Sequence, residues 1–212
     1  MYKDRNEAGN ILAEKLEKYT NEDAIILAIP RGGIPLGFII SEKLNLPLEV
    51  VLSKKIGHPL HKEYAIGAVT LKSSILSDAA ADISPKYIEE ETIRIRSLLK
   101  KRYNDYYGDR KPLSLKGKTL IIIDDGIATG NTILSIIKML HDEKPKKMVV
   151  AIPVAPNEAI IKLQNSPYVD EVICLLVPDY FRAVGQFYQN FNQVDDEQVK
   201  KLLNKALEKL EN

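Results

Sequence analysis

Residues 120–132, Leu-Ile-Ile-Ile-Asp-Asp-Gly-Ile-Ala-Thr-Gly-Asn-Thr, restrict what this chain can become more than any other stretch. An apolar, β-branched run stops at two carboxylates, passes through small residues and hydroxyls, and gives way to a helical pattern from Ile133 to Leu140. That order predicts a buried strand, a tight loop and a helix start. Such a loop turns several backbone N–H groups toward one point at the positive end of a helix dipole, where an anionic phosphate fits. Thr129 and Thr132 add hydroxyl donors, and Gly130 removes the side chain that would keep a ligand away from the backbone. Asp124 and Asp125 bring nothing to a phosphate. They are explained if the ligand also carries hydroxyls or a hard cation such as Mg²⁺. Side chains alternate along a strand, so the two acids converge only where the strand has begun to turn, and distinct roles are expected of them.

A second strand-loop-helix corner lies earlier in the chain. Residues 24–29 read as a strand buried on both faces, Pro30-Arg31-Gly32-Gly33 interrupts it, and Ile34 opens a helix with proline in its first turn. Gly32 and Gly33 let the backbone approach an anion, and Arg31 offers a planar fork matched to phosphate oxygens. Residues 48–52 form another strand, ending in Ser53-Lys54-Lys55. A lysine pair there is an ordinary solvated strand end, or, at the carboxyl end of a parallel strand, part of the rim where α/β folds bind ligands.

The remaining segments supply the frame. Residues 56–64 are a polar loop, and its His58, His61 and Glu63 lack the helix or further nitrogen or sulfur ligand that a metal site would need. Residues 65–71 and 74–77 read as a hairpin. Ser84-Pro85 opens a long helix with glutamates early and Lys100, Lys101 and Arg102 late, an apolar stripe of Ile88, Ile95, Leu98, Leu99 and Tyr103, and Gly108 at its close. Arg94 and Arg96 belong to its solvated face. Strands at 148–154 and 169–177 enclose a short helix at 157–163, while Asp4 with Glu7 and Asp195 with Gln198 cap amphipathic helices near the two ends. Leu210 is assigned to the apolar face of the second. This alternation predicts a parallel sheet covered on both faces. Cys174 sits in an apolar run and reads as a core thiol. After the last strand, Pro178-Asp179-Tyr180-Phe181 could stack a flat base, with Phe181 as candidate, or pin the tail to the core.

The run at 120–132 resembles the phosphoribosyl-pyrophosphate motif of the type I phosphoribosyltransferases. By that resemblance Asp124 and Asp125 hold the ribose hydroxyls and Mg²⁺, directly or through water. Gly126, Ala128, Thr129, Gly130, Asn131 and Thr132 cradle the 5′-phosphate. Arg31, Gly32 and Gly33 resemble the family's pyrophosphate loop, with Lys54 and Lys55 on the same ligand, and residues 56–64 are a candidate for its flexible closing loop. The segment around Phe181 resembles the base site of the purine enzymes. What the resemblance implies is an α/β type I phosphoribosyltransferase fold in one domain over residues 1–212, a mostly parallel central sheet with helices on both faces and a small hood drawn from the chain's ends. The implied reaction moves ribose 5-phosphate from phosphoribosyl pyrophosphate to a nitrogenous base, with Asp124, Asp125, Arg31 and Lys55 as catalytic residues and a homodimer as the assembly. A non-catalytic regulatory protein that binds the same donor is the alternative.

The resemblance does not extend to an acceptor. Ala128 stands where hypoxanthine-guanine enzymes carry an acid, and Ile152-Pro153-Val154-Ala155 lacks their lysine. Predicted bacterial and archaeal phosphoribosyltransferases of unassigned substrate share the Arg-Gly-Gly loop, the Lys-Lys-Ile-Gly segment, the Asp-Asp-Gly-Ile-Ala-Thr-Gly loop and the Gly-Gln-Phe-Tyr tail. Composition adds bounds. A chain of 212 residues, 45% hydrophobic, carries enough for one full core. A net charge of +1 gives no reason to expect a nucleic-acid or membrane surface. With no apolar signal region at the start and no run of about 20 apolar residues, a cytoplasmic protein with small-molecule partners is expected.

Overall fold

The continuous apolar runs can be strands only if both of their faces are covered, and the chain supplies helices for that purpose. The computed structural model describes residues 1–62 and 64–210, the last by its backbone alone. Its strands are β1 (Ala24–Ala28), β2 (Leu48–Val50), β3 (Ser53–Gly57), β4 (Ala65–Thr70), β5 (Ser74–Leu76), β6 (Thr119–Ile123), β7 (Lys147–Val154) and β8 (Glu171–Leu176). Its helices are α1 (Arg5–Lys15), α2 (Gly33–Leu44), α3 (Pro85–Tyr107), α4 (Asn131–His141), α5 (Asn157–Gln164) and α6 (Asp196–Leu210). The central sheet has the order β2-β1-β6-β7-β8 and is parallel throughout, while β3-β4-β5 form a separate antiparallel sheet.

Alternation along the central strands feeds two cores. Ile26, Ala28, Ile121, Ile123, Val149 and Ala151 face the side covered by α1, α2 and α6. Ile25, Leu27, Leu120, Ile122, Val150 and Ile152 face α4 and α5. The helices begin where their caps say. Asp4 accepts from the Asn6 and Glu7 amides at 2.9 Å, and Asp195 accepts from the Gln198 amide at 2.7 Å.

Three expectations need correction or completion. Lys54 and Lys55 do not end a parallel strand: β2 stops at Val50 and the chain crosses into the antiparallel sheet at Ser53, where β3 carries both lysines exposed. The apolar run 48–52 stays buried through that crossing, so its hydrophobicity could not reveal the change of sheet. The small sheet comes from residues 53–76, in the middle of the chain. Leu98 is 43% exposed, and the buried stripe of α3 continues instead through Tyr106 and Tyr107. Glu63 and the side chain of Leu210 lie outside the described residues.

At the sheet edge away from the crevice described below, Glu171 accepts from Lys18 Nζ at 2.6 Å, Tyr19 Oη at 2.7 Å and Lys147 Nζ at 2.8 Å. Burial opposes the ionised form of Glu171, but these donors outweigh it and bring the carboxyl down to about 2. A carboxyl with a depressed folded pKa adds stability above its unfolded pKa and loses it as pH falls through the folded one. Glu171→Gln is therefore expected to cost about 1–3 kcal/mol at pH 7. In denaturant titrations the gap to wild type should narrow as pH falls from 4.5 toward 2.

Candidate active site

Strand order reverses between β1 and β6. The chain goes from β1 to β2 on one side and from β6 to β7 and β8 on the other, so the loops after β1 and β6 leave in opposite directions and open a crevice at the carboxyl ends of the strands. Ala28 is level with Ile123, and the Ile29 amide donates to the Ile123 carbonyl at 2.9 Å. The two loops singled out in the sequence thus start side by side.

Their backbones are in near contact. A Cβ on Gly33 would lie 2.6 Å from the Ile123 carbonyl oxygen and 3.1 Å from Asp124 Cα, and one on Gly32 would lie 2.1 Å from Asp125 Oδ2. Gly32 has ordinary helical angles, φ −63° and ψ −34°, so space rather than conformation excludes a side chain there. The Pro30–Arg31 peptide bond is cis. Arg31 comes within 4.0 Å of Asp196 Oδ2, which Arg102 of α3 approaches to 3.8 Å.

Asp124 and Asp125 come immediately after β6 ends, which frees them from strand alternation. The Asp125 amide donates to Asp124 Oδ1 at 2.9 Å. Burial, and then the charge of Asp125, push the Asp124 carboxyl well above the usual range. Burial raises Asp125 as well, against the pull of Arg5.

Arg5 was not singled out in the sequence. It is the first residue of α1, and its Nε and Nη2 both lie 2.8 Å from Asp125 Oδ2. Its Nη1 donates to the Asn192 carbonyl at 2.7 Å, and its guanidinium lies over the Phe191 ring at 3.9 Å. From the same tail, Tyr188 Oη donates to the Asp125 carbonyl at 2.6 Å, and the Tyr188 ring packs on Tyr2. A cation in the first turn of a helix opposes the macrodipole, and this was the one local oddity that could have marked Arg5.

On the other side of the acids, Gly130 starts α4 with φ +76°. A Cβ there would meet nothing closer than 3.6 Å, so the left-handed backbone is what calls for glycine. The Leu134 amide donates to the Gly130 carbonyl at 3.0 Å, and the amides ahead of it have no carbonyl within the helix. Ala128, Thr129, Asn131 and Thr132 are exposed around this open end, while Gly126 and Gly130 are buried. Lys162 of α5 comes within 3.5 Å of the Thr129 carbonyl.

Two further groups named in the sequence stand apart. Among the described residues Lys54 and Lys55 make no hydrogen bond or ion pair with either loop. Phe181 is half-buried and stacks on Phe187 with ring centroids 5.5 Å apart. Its segment still belongs to the site's surroundings, because Val184 packs on the Gly126 turn and Tyr188 bonds Asp125.

The donor set of Asp124 and Asp125 is all oxygen and suits a hard cation. Two carboxylates are fewer than a protein cage requires, so Mg²⁺ here would complete its shell with water and ligand phosphates. Among the described residues no three His, Cys, Asp or Glu side chains gather as a metal site, and no helix is long and apolar enough to cross a membrane. Cys174 is half-buried, its thiol raised by burial.

A model of the phosphoribosyl transferase domain matches residues 2–189. A Mycobacterium tuberculosis protein that bears a phosphoribosyl transferase name is 32% identical over 212 residues, covering 97% of this chain and 47% of the relative. The chain therefore spans about half the length of that curated relative. The uracil phosphoribosyltransferase of Mycoplasma genitalium is 26% identical over 173 residues, covering 76% and 80% of the two chains. The crystal structure of TT1426 from Thermus thermophilus matches with a TM-score of 0.83 and 36% identity, over 97% of this chain and 98% of that one.

Proposed function

Because the chain belongs to the phosphoribosyl transferase family, we propose that it transfers the ribose 5-phosphate group of phosphoribosyl pyrophosphate to a nitrogenous base and releases pyrophosphate. The observation that carries this reading is the contact of Gly32 and Gly33 with Ile123, Asp124 and Asp125 at the strand-order reversal. One ligand spanning both loops would present an anion to each and a sugar to the acids between them.

In this reading the first-turn amides of α4, with Thr129 and Thr132, hold the 5′-phosphate; Ala128, Gly130 and Asn131 shape the loop, and Gly126 turns the chain toward it. Asp124 and Asp125 accept from the ribose hydroxyls and hold Mg²⁺ directly or through water. When bound, Mg²⁺ neutralises charge on the pyrophosphate. Arg31 and the Gly32 backbone hold the leaving pyrophosphate. Gly33, whose amide is taken by the Ile29 carbonyl, lets the loop pass close to Ile123, and Lys54 and Lys55, exposed on β3, are assigned to the same ligand. As the bond from C1 to the pyrophosphate oxygen breaks, its electron pair leaves with pyrophosphate. The bond to the base nitrogen forms, the nitrogen's proton passes to solvent, and positive charge develops on the ribose on the way, as in glycoside cleavage. The carboxylates stand beside that charge, so the chain contributes mainly positioning and electrostatics. Phe181 is the proposed stacking surface for the base. A single domain, a homodimer and a cytoplasmic location belong to the same reading and rest on the family alone.

The test is incubation of labelled phosphoribosyl pyrophosphate and MgCl₂ with a panel of purine and pyrimidine bases. Formation of a labelled nucleotide with pyrophosphate release from at least one base is expected. Donor binding without turnover on every base would replace the enzyme by a regulatory binder.

A further inference from the structure

We propose that Arg5 is a positioning residue for the sugar: it aims the Asp125 carboxylate at a ribose hydroxyl and lowers the negative charge of the seat. The proposal rests on the donor site described above and deepens it.

The geometry separates this role from that of a surface ion pair. Two guanidinium nitrogens converge on the same oxygen, Oδ2, at 2.8 Å, and both side chains are nearly buried, 12% and 13% exposed. The guanidinium is itself fixed at two further points, the Asn192 carbonyl and the face of Phe191. The whole carboxyl group lies against the Gly32 backbone, since a side chain on Gly32 would strike Oδ2, Cγ and Oδ1 at 2.1, 2.4 and 2.8 Å. The carboxylate is therefore pinned at Oδ2 between a guanidinium and a backbone, with its main-chain carbonyl tied to Tyr188, and the direction of Oδ1 is set by these contacts. A planar guanidinium does this better than an ammonium, which has no fixed fork.

Charge gives the second reason. Asp124 and Asp125 stand side by side where a polyanionic donor must come, and burial opposes the charged form of each. Arg5 offsets the charge of Asp125, on which its guanidinium is held at 2.8 Å. The aim of Asp125 is thus set by residues 120 positions away in sequence and by the tail at 188–192.

Binding of three stable sugar phosphates tests this without requiring catalysis: ribose 5-phosphate, 2-deoxyribose 5-phosphate and 3-deoxyribose 5-phosphate, each titrated calorimetrically into the full chain. A hydroxyl held by an oriented carboxylate is worth a factor of roughly ten or more, so wild type should prefer ribose 5-phosphate over at least one deoxy sugar by that factor. In Arg5→Ala that preference should fall to within about threefold, because a carboxylate free to rotate no longer discriminates. A loss of folding alone would lower all three affinities together and leave the ratios as they were. Arg5→Gln, which retains packing on Phe191, is read by the same ratios should Arg5→Ala fail to fold. Ratios equal to wild type in the folded variant overturn the positioning role and leave the donor site standing. A wild-type protein that binds none of the three overturns the donor site and this proposal with it.

Discussion

Gly32→Ala is expected to lower kcat/KM for phosphoribosyl pyrophosphate by about 100-fold or more, while the melting temperature falls by only on the order of 3–10 °C. The new methyl group would lie 2.1 Å from Asp125 Oδ2 and 2.4 Å from its Cγ. Something has to move. The backbone at 32 is held at the start of α2, where the Gly33 amide donates to the Ile29 carbonyl at 2.9 Å, so the carboxylate is the softer partner. Asp125 would swing off Arg5 and out of line with the sugar. A misplacement of about 1 Å in a positioning group can cost about 100-fold in rate. The stability cost is smaller because a side chain, rather than backbone, gives way. Gly33→Ala supplies the contrast, since its methyl would meet the Ile123 carbonyl at 2.6 Å and nothing there can rotate aside. Steady-state kinetics and thermal unfolding of Gly32→Ala check the expectation, and activity within a factor of about three of wild type would show that the two loops do not share a ligand.

The second large effect falls on the acid itself. Asp125→Asn keeps the shape of the side chain and removes its charge, and should weaken phosphoribosyl pyrophosphate binding by about 100-fold in the presence of MgCl₂. Two losses combine. The amide is a poorer acceptor for a sugar hydroxyl, and a neutral side chain is a poor ligand for a hard cation. The dependence of binding on MgCl₂ should therefore flatten in the variant. Fold is retained in this expectation, because Tyr188 holds the backbone carbonyl and the amide oxygen can still accept from Arg5. Calorimetry with and without MgCl₂ reads both effects, and unchanged affinity would remove Asp125 from the site.

The parts of this molecule legible in the sequence are those written in local pattern. The runs around Ile26, Ile121 and Val150 had to be buried strands, and glycine at 32, 33 and 130 marked places where backbone came close to something or turned left-handed. Interactions made by tertiary contact were not legible. Arg5 is locally unusual only as a cation in a first helical turn, and nothing near it in sequence points to Asp125, 120 residues away. Tyr188 sits in an aromatic-rich tail, and nothing nearby in sequence says that its hydroxyl reaches the Asp125 carbonyl. The crossing at Ser53 was hidden because Val51 and Leu52 stay buried after β2 has ended. On α3, Leu98 fits the apolar period but faces outward, while Tyr106 and Tyr107 go inside because their hydroxyls find partners in Asp196 and the Val50 amide.

In the proposed function residues 31–33 and 124–132 are two halves of one seat. Calorimetric titration of wild-type protein with phosphoribosyl pyrophosphate in MgCl₂, repeated at saturating pyrophosphate and at saturating ribose 5-phosphate, tests it most directly. One donor site per chain, displaced by either fragment, is the predicted result. Donor binding that ribose 5-phosphate abolishes and pyrophosphate leaves untouched would contradict it.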